Sequence, residues 1–304
     1  MKEKTQRNGK QRALMVAMAA GMAGTVWGIK KWRALQQTPP VGIHSHHAGL
    51  AGYYQQVGRW RIFTRATAKP MPGLPVVLIH GLVLSGRAME DLAIALSWDF
   101  RVLVPDLPGY GASAMPASSP TLTVDQQADA LWQWMQHNDI PRALFIGNSF
   151  GCQVLAALAV RHPEAVAALV LQGPTVDRHA RFLPVQMWRD WRNGRREKFH
   201  SPASLSRVDY AKAGVFRALA SIRIMMRDRI EQRLPYIQAP TLLVRGSRDV
   251  VSPARWIEEM DALLPDSEIL TLQQGTHTLN YVYPWNFCRA IRPFLMANRE
   301  HDHE

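Results

Sequence analysis

Short runs of apolar residues, separated by longer segments of helical period, recur along most of this chain. Trp60 to Thr64 alternates as a half-buried strand does. The other runs are continuously or almost continuously apolar, as expected of strands buried on both faces: Val76–Ile79, Val102–Val104, Leu144–Ile146, Ala168–Leu171, Thr241–Val244 and Ile269–Leu272. Thr123 and Gln126 form the signature of a capping box at the start of a helix between two of these runs. Strands that alternate with helices predict an α/β fold with a doubly wound, mostly parallel sheet.

One connection in this pattern is much longer than the others. Between the strand that ends near Gln172 and the strand that starts at Thr241 lie far more residues than one crossover helix needs. Residues 178–236 are therefore predicted to form an inserted helical cap on a core made of residues 53–177 and 237–304. Apolar residues recur at helical spacing within the cap and are expected to pack against the body: Val215, Leu219, Ile222, Met225 and Met226.

The first 52 residues precede the pattern of strands and helices, and residues 34–52 show neither period. Ala13 to Ile29 is an uncharged run between basic flanks, which predicts a membrane anchor or a signal within residues 1–36. We expect a single uncleaved anchor; export after signal cleavage and an amphipathic surface helix are the alternatives. Residues 37–52 contain Pro39-Pro40 and are predicted to be a linker.

The formal net charge of +12 is concentrated in two segments. Residues 1–36 contain eight Lys or Arg and one Glu, and residues 178–236 contain fourteen Lys or Arg and five Asp or Glu, so the rest of the chain carries −4. A mildly acidic body without an interleaved basic and aromatic motif argues against a nucleic-acid partner. Cys152 and Cys288 lack the spacing of a zinc site or a redox pair, and we predict neither a metal nor a cofactor.

A serine lies where a buried strand is predicted to turn into a helix. The strand Leu144–Ile146 runs into Gly-Asn-Ser-Phe-Gly at 147–151, and a helix-compatible segment from Cys152 to Arg161 follows. Small residues at both ends of so tight a turn lift the serine side chain above the edge of the sheet, as in a nucleophile elbow. We therefore predict that Ser149 is a nucleophile.

A serine hydroxyl needs a general base within hydrogen-bond reach and an acid that holds the base in the right tautomer. His277 follows the last predicted strand, and Asp249 follows the strand before it. All three residues follow the carboxyl ends of strands, and the chain order Ser149, Asp249, His277 is that of a hydrolase triad on such a sheet. Asp177, which follows the strand Ala168–Leu171, is the alternative acid.

Two further loops carry recognisable motifs. His80-Gly81 follows one buried strand, and Asp-Leu-Pro-Gly-Tyr-Gly at 106–111 follows the next. These motifs occur together with the serine turn and with an acid and a base in the expected chain order. Because of them, Tyr53–Leu295 resembles the α/β-hydrolase superfamily, in its branch of capped serine esterases and carbon–carbon hydrolases. The resemblance implies an oxyanion hole formed by the backbone N–H groups of Leu82 and Phe150. The first loop lacks the further glycines of many members, so no subfamily is implied.

The activity implied by this resemblance is that of a cofactor-free serine hydrolase. It would act on a small-molecule acyl substrate, in the first place a carboxylic ester, through an acyl-enzyme. A thioesterase, a carbon–carbon bond hydrolase and an acyltransferase would use the same three residues and remain open. A non-catalytic, membrane-tethered interaction protein is the alternative from another class, because a fold alone does not specify an activity. The sequence predicts neither the particular substrate nor the oligomeric state.

Overall fold

Eight strands form one sheet whose two faces are covered by apolar side chains. The structure is a computed structural model and describes residues 27–69, 71–113, 115, 116 and 118–299. The strands are β1 (Leu50–Val57), β2 (Trp60–Thr67), β3 (Val76–Ile79), β4 (Val102–Pro105), β5 (Ala143–Asn148), β6 (Val166–Gln172), β7 (Thr241–Gly246) and β8 (Ser267–Leu272). They lie in the order β1-β2-β4-β3-β5-β6-β7-β8, with β1–β2 and β2–β4 antiparallel and the other pairs parallel. The prediction of a mostly parallel sheet is confirmed.

Helices that flank the sheet bury its side chains, and three further helices lie in the inserted segment. They are α1 (Ile43–His47), α2 (Glu90–Leu96), α3 (Val124–His137), α4 (Phe150–Arg161), α5 (Leu183–Glu197), α6 (Ala203–Ala213), α7 (Val215–Arg227), α8 (Ala254–Asp261), α9 (Leu279–Val282) and α10 (Pro284–Ala297). Successive side chains of β3 enter opposite cores: Val77 lies in the core that contains Trp134 of α3, and Leu78 lies in the core that contains Phe287 of α10. This is the doubly wound arrangement that the sequence predicted.

The start of α3 shows how local sequence fixes one of these helices. The Thr123 side chain accepts a hydrogen bond from the backbone N–H of Gln126 at 3.3 Å, and the Gln126 side chain accepts one from the backbone N–H of Thr123 at 3.0 Å. Two N–H groups that have no partner within the helix are thereby satisfied. The predicted capping box is confirmed.

The chain consists of two units, Met1–Thr38 and Pro39–Glu304, and the sheet belongs to the second. In the first unit, residues 27–36 are helical. The predicted membrane segment, Ala13 to Ile29, lies mostly outside the described residues. None of the helices that the structure describes has both the length and the apolar composition needed to cross a bilayer.

Residues 39–52 differ from the predicted linker because they are folded onto the body. They contain α1 and the start of β1. The Ser45 hydroxyl donates to Glu90 Oε2 at 2.5 Å, and Arg65 donates to the carbonyl of Pro40 at 2.6 Å. Arg65 and Glu90 form a buried ion pair at 2.9 Å, and such a pair needs further partners for its remaining donors and lone pairs. The segment supplies them, which explains why a stretch without regular period is ordered.

The long connection between β6 and β7 contains α5, α6 and α7, within the predicted cap of residues 178–236. Ser85, after β3, donates to Asp209 Oδ2 of α6 at 3.0 Å, and the Tyr110 hydroxyl, after β4, donates to Ser221 Oγ of α7 at 2.8 Å. The inserted helices therefore contact two loops at the carboxyl ends of strands.

The predicted apolar stripe of α7 is buried only in part. Met225 packs against a core, but Val215 and Leu219 are 56% and 60% exposed. The expectation that the whole stripe packs against the body is wrong, because Arg217 and Ser221 lie on the buried side instead. Arg217 donates to the carbonyl of Pro116 at 2.9 Å, so a hydrogen bond to the body contributes to holding this part of the helix.

Candidate active site

The turn between β5 and α4 places Ser149 in a strained conformation that only flanking glycines allow. Ser149 has φ 53° and ψ −113°. A Cβ at Gly147 would lie 2.9 Å from the carbonyl carbon of Gly151, and a Cβ at Gly151 would lie 2.5 Å from the carbonyl oxygen of Ile79. Side chains are thus excluded on both sides of the serine. This is the geometry of a nucleophile elbow at the carboxyl end of the central strand.

His277 and Asp249 lie together, as the chain order suggested. Nδ1 of His277 is 2.9 Å from Oδ2 of Asp249, and the carboxylate of Asp249 is fully buried. Its other oxygen, Oδ1, accepts backbone N–H bonds from Val251 at 2.8 Å and Ser252 at 3.0 Å. A carboxylate held in this way favours the tautomer with the proton on Nδ1, which leaves Nε2 as an acceptor.

The electrostatic environment of His277 favours its charged form. Burial alone would lower the pKa of the imidazole, but the charge and the hydrogen bond of Asp249, together with the charges of Glu197 and Asp190, outweigh burial, so the pKa is raised. An imidazole of this kind accepts a proton readily, which is the property required of a general base.

A second network joins the serine turn to the histidine loop. The backbone N–H of Ser149 donates to the carbonyl of Gln172 at 2.9 Å, and the Asn148 side chain donates to Gln172 Oε1 at 2.7 Å. Nε2 of Gln172 donates to the carbonyl of His277 at 2.5 Å. The next residue, Gly173, lies so close to the imidazole that a Cβ there would be 2.9 Å from Cε1 and Nδ1 of His277. These contacts place the imidazole beside the turn that carries Ser149.

The alternative acid, Asp177, lies in a different set of contacts. Its Oδ2 accepts from Arg189 at 2.9 Å and from Arg255 at 3.3 Å, and its Oδ1 accepts the backbone N–H of His179 at 3.0 Å. Burial would raise the pKa of Asp177, but these donors outweigh burial and lower it. Its lone pairs serve the junction between α5 and α8, whereas Asp249 is the carboxylate that bonds to the imidazole.

The loop after β3 is held by a buried, neutral histidine. His80 Nδ1 is 2.9 Å from the carbonyl of Gly81, and Nε2 accepts from the backbone N–H of Leu107 at 3.1 Å. Burial lowers the pKa of His80, in keeping with an uncharged ring that accepts at Nε2. A Cβ at Gly81 would lie 3.5 Å from Cβ of Ser149, so Leu82, the next residue and a predicted oxyanion-hole donor, follows directly beside the serine.

Asp106 stabilises the neighbouring loops. Oδ1 accepts from Arg65 at 2.6 Å and from the backbone N–H of Gly86 at 2.7 Å, and Oδ2 accepts from the backbone N–H of Ala112 at 2.7 Å. The carboxylate therefore joins the loops after β3 and β4 directly, and it also pairs with the buried Arg65 of β2. Among the residues that the structure describes, no group of three or more His, Cys, Asp or Glu lies close enough together to hold a metal ion.

Two side chains of α5 that sequence reasoning missed bind the histidine loop. Asn193 Oδ1 accepts the backbone N–H of His277 at 3.1 Å. Glu197 Oε1 accepts the backbone N–H of Thr278 at 3.2 Å, the Thr278 hydroxyl at 2.7 Å and the Asn193 amide at 2.7 Å. In an arginine-rich helix, such polar residues are expected to lie on the face exposed to solvent, so the sequence gives no signal that they are buried.

The comparisons with known proteins agree with this geometry. A family model described as "alpha/beta hydrolase fold" matches residues 75–204, and a second, described as "TAP-like protein", matches residues 225–297. The pimeloyl-(acyl-carrier protein) methyl ester esterase of Vibrio vulnificus (strain CMCP6) is 26% identical over 251 residues, which cover 73% of this chain and 94% of that protein. The magnesium-chelatase 30 kDa subunit of Rhodobacter capsulatus is 27% identical over 234 residues, covering 68% and 81% of the two chains.

Among solved structures, a membrane phospholipase A described as a bacterial virulence factor shares the fold. It has a TM-score of 0.70 at 24% identity, covering 97% of this chain and 99% of that one. The fold and the family models define a hydrolase, as the sequence predicted. This chain belongs to the α/β-hydrolase superfamily. Its relatives differ in their described activities, so no one substrate follows from membership.

Proposed function

We propose that this chain cleaves carboxylic esters, with Ser149 as the nucleophile, His277 as the general base and Asp249 as the acid that orients it. The observation that carries the proposal is the 2.9 Å contact between Asp249 Oδ2 and His277 Nδ1, beside a serine in a nucleophile elbow. A proton held on Nδ1 leaves Nε2 to accept the serine proton. The alignment with a methyl ester esterase over 94% of that protein supports esters as the substrate class.

The proposed reaction proceeds through an acyl-enzyme. Ser149 Oγ attacks the carbonyl carbon while Nε2 of His277 takes the hydroxyl proton, and the carbonyl oxygen becomes an oxyanion. The backbone N–H groups of Leu82 and Phe150 would bind this oxyanion, and each donor contributes roughly 2.7–4 kcal/mol in such sites. The ester C–O bond then breaks and the alcohol leaves with the proton from His277. Water, deprotonated by the same imidazole, releases the acid and restores the serine.

A labelling experiment tests this proposal. The full chain, purified in detergent, is treated with a fluorophosphonate and assayed on p-nitrophenyl esters of several acyl lengths, beside Ser149→Ala. We expect labelling and turnover by the wild-type protein and neither by the variant. A folded wild-type protein that neither labels nor turns over any ester would refute the proposed activity.

We also propose that the chain works at an anionic membrane surface, anchored by residues 1–36. The face of α5 that points away from the body supports this setting, because it exposes large apolar side chains: Leu183, Met187, Trp188 and Trp191. Arg192 and Arg195 lie over the rings of Trp188 and Trp191, at 5.1 Å in both cases. Tryptophan beside arginine suits an interface between lipid chains and anionic head groups.

Two measurements test this setting. The anchor is tested by fractionation: full-length protein should sediment with membranes, and intact protein found wholly in the soluble fraction would refute it.

The α5 surface is tested by replacing Trp188 and Trp191 with Ser. The matched control has serine at the exposed Trp98 and Trp285 instead. We expect the first pair to lose about tenfold in activity on an ester presented in phosphatidylglycerol vesicles and little on a soluble ester. An equal loss in both variants would exclude a role for this surface in binding lipid.

A further inference from the structure

Helix α5 has its polarity reversed relative to an ordinary surface helix. Its buried residues, Gln186, Asn193 and Glu197, are all polar. Burial of an amide or a carboxylate costs free energy unless its lone pairs and protons are satisfied, so such residues persist where their hydrogen bonds hold something in place. What Asn193 and Glu197 hold is the loop that carries His277.

The contacts fix the backbone of this loop at two consecutive residues. Asn193 Oδ1 accepts the N–H of His277, and Glu197 Oε1 accepts both the N–H and the hydroxyl of Thr278. The Asn193 amide donates to the same Glu197 oxygen, so the two side chains, one helical turn apart, act as one unit. The direction of an imidazole depends on its backbone as well as on its acid partner. By holding the backbone of His277 and Thr278, α5 therefore fixes a part of the orientation of the imidazole that Asp249 alone does not fix.

The same helix contributes charge to the site. Three carboxylates act on His277: Asp249 from the loop after β7, and Glu197 and Asp190 from α5. The guanidinium of Arg245, on β7, donates to the backbone carbonyl of Asp249 at 3.3 Å. When His277 takes the serine proton it becomes an imidazolium, and the charge of Glu197 favours that form.

We propose that Glu197, together with Asn193, is a positioning residue for His277, so that the general base is competent only while α5 is seated on the body. This inference rests on the proposed function, because it assigns to α5 a role in the reaction of that same site. It also implies that substrate enters without displacement of α5, since removal of this helix would take away the partners of the histidine loop.

Three variants of the full chain separate position, charge and general stability. Glu197→Gln keeps an oxygen acceptor and removes the charge, whereas Glu197→Ala removes both. Gln186→Ala is the matched control, because Gln186 is a buried amide on the same helix that donates to the carbonyl of Ala180 at 2.7 Å and does not hold the histidine loop. The readouts are kcat and KM for a p-nitrophenyl ester as a function of pH, with fluorophosphonate labelling and thermal unfolding in parallel.

The expected results differ among the three variants. Glu197→Gln should retain kcat within about threefold on the alkaline plateau and move the acidic limb of kcat/KM to lower pH by roughly 0.3–1 unit. Glu197→Ala should lose about 10–100-fold in kcat with little change in KM, because the base is misplaced while the pocket remains. Gln186→Ala should lose stability without a comparable loss of kcat and without a shift of the acidic limb.

Failure of this inference is distinguishable from failure of the proposed function. Wild-type protein without labelling or turnover would refute the esterase itself. An active wild-type protein whose Glu197→Ala variant loses no more kcat than Gln186→Ala would overturn the positioning role alone, and a Glu197→Gln acidic limb that stays in place would overturn the contribution of charge. If Glu197→Ala does not fold, Asn193→Ala, which removes the acceptor of the His277 N–H, takes its place in the kcat comparison.

Discussion

The close approach of Gly173 to the imidazole gives a direct test of the site. Gly173 has φ +58°, and a Cβ there would lie 2.9 Å from Cε1 and Nδ1 of His277 and 3.4 Å from Oδ2 of Asp249. In Gly173→Ala the methyl group cannot yield, because it is attached directly to the backbone. The imidazole has to move instead, out of the position in which Asp249 orients it.

The magnitude of the effect follows from these distances. Ordinary carbon contacts begin near 3.4 Å, so the ring must shift by about half an ångström or more, and a misplacement of ~1 Å costs on the order of 10² in rate. An L residue in the left-handed region also costs about 1–2 kcal/mol of stability. We therefore expect kcat of Gly173→Ala to fall by roughly 10–100-fold, with a modest loss of stability.

Gly49→Ala is the matched control. Gly49 has φ +85°, and a Cβ there would meet nothing within 4 Å, so this variant has the backbone cost without the steric one. Ester turnover and urea unfolding are measured for both variants. Similar stability losses with a kcat loss confined to Gly173→Ala are expected. Equal kcat losses, or a Gly173→Ala variant with more than about half of the wild-type kcat, would refute the inferred contact.

Three further substitutions test other carboxylates. Asp249→Asn should lower kcat by about 10³–10⁴, because an amide favours the wrong tautomer of His277, and a loss below about tenfold in ester turnover would contradict the assigned acid. Asp177→Asn, which unpairs Arg189, should lower the melting temperature while keeping kcat within about tenfold; a larger loss would favour Asp177 as the acid. Burial raises the pKa of Asp209 from 3.8 to about 7, so the folded state retains the proton, and the contribution of Asp209 to stability should fall as pH rises between these values. Asp209→Asn should not show this fall. The free energy of unfolding of the variant minus that of the wild type, measured by urea titration, should therefore increase by roughly 1–4 kcal/mol across this pH range; a difference that is independent of pH would contradict this account.

The core of the fold, and the acid and base in their order along the chain, could be predicted from the sequence for the same physical reason. Parallel strands buried on both faces must be continuously apolar, as Val76–Ile79 is, and their carboxyl ends meet at one edge. A serine, an aspartate and a histidine that follow three such strands are therefore expected near one another, before any distance is known. The elbow turn adds a steric rule, because only glycine fits at Gly147 and Gly151.

Sequence reasoning missed an exposed edge strand and several polar residues that are buried. The strand β1 is an edge strand that pairs only with β2, and most of its side chains are exposed or half-exposed, so it lacks the apolar run that marks its neighbours. The contacts of Ser45 with Glu90, and of Glu197 with the histidine loop, join residues 45 and 81 positions apart in sequence. Burial of such groups depends on distant partners, which no local period reveals.

The reversed polarity of α5 has a consequence for the temperature dependence of the cap. A helix that seats on the body through hydrogen bonds and an ion pair, while its large apolar side chains remain in water, buries little apolar area. Heat-capacity change scales with that area, so detachment of α5 should have a small heat-capacity change and a weak dependence on urea. Amide exchange in this helix should then give a free energy of local opening that changes linearly with temperature, whereas openings of the sheet would follow the curved stability profile of an apolar core.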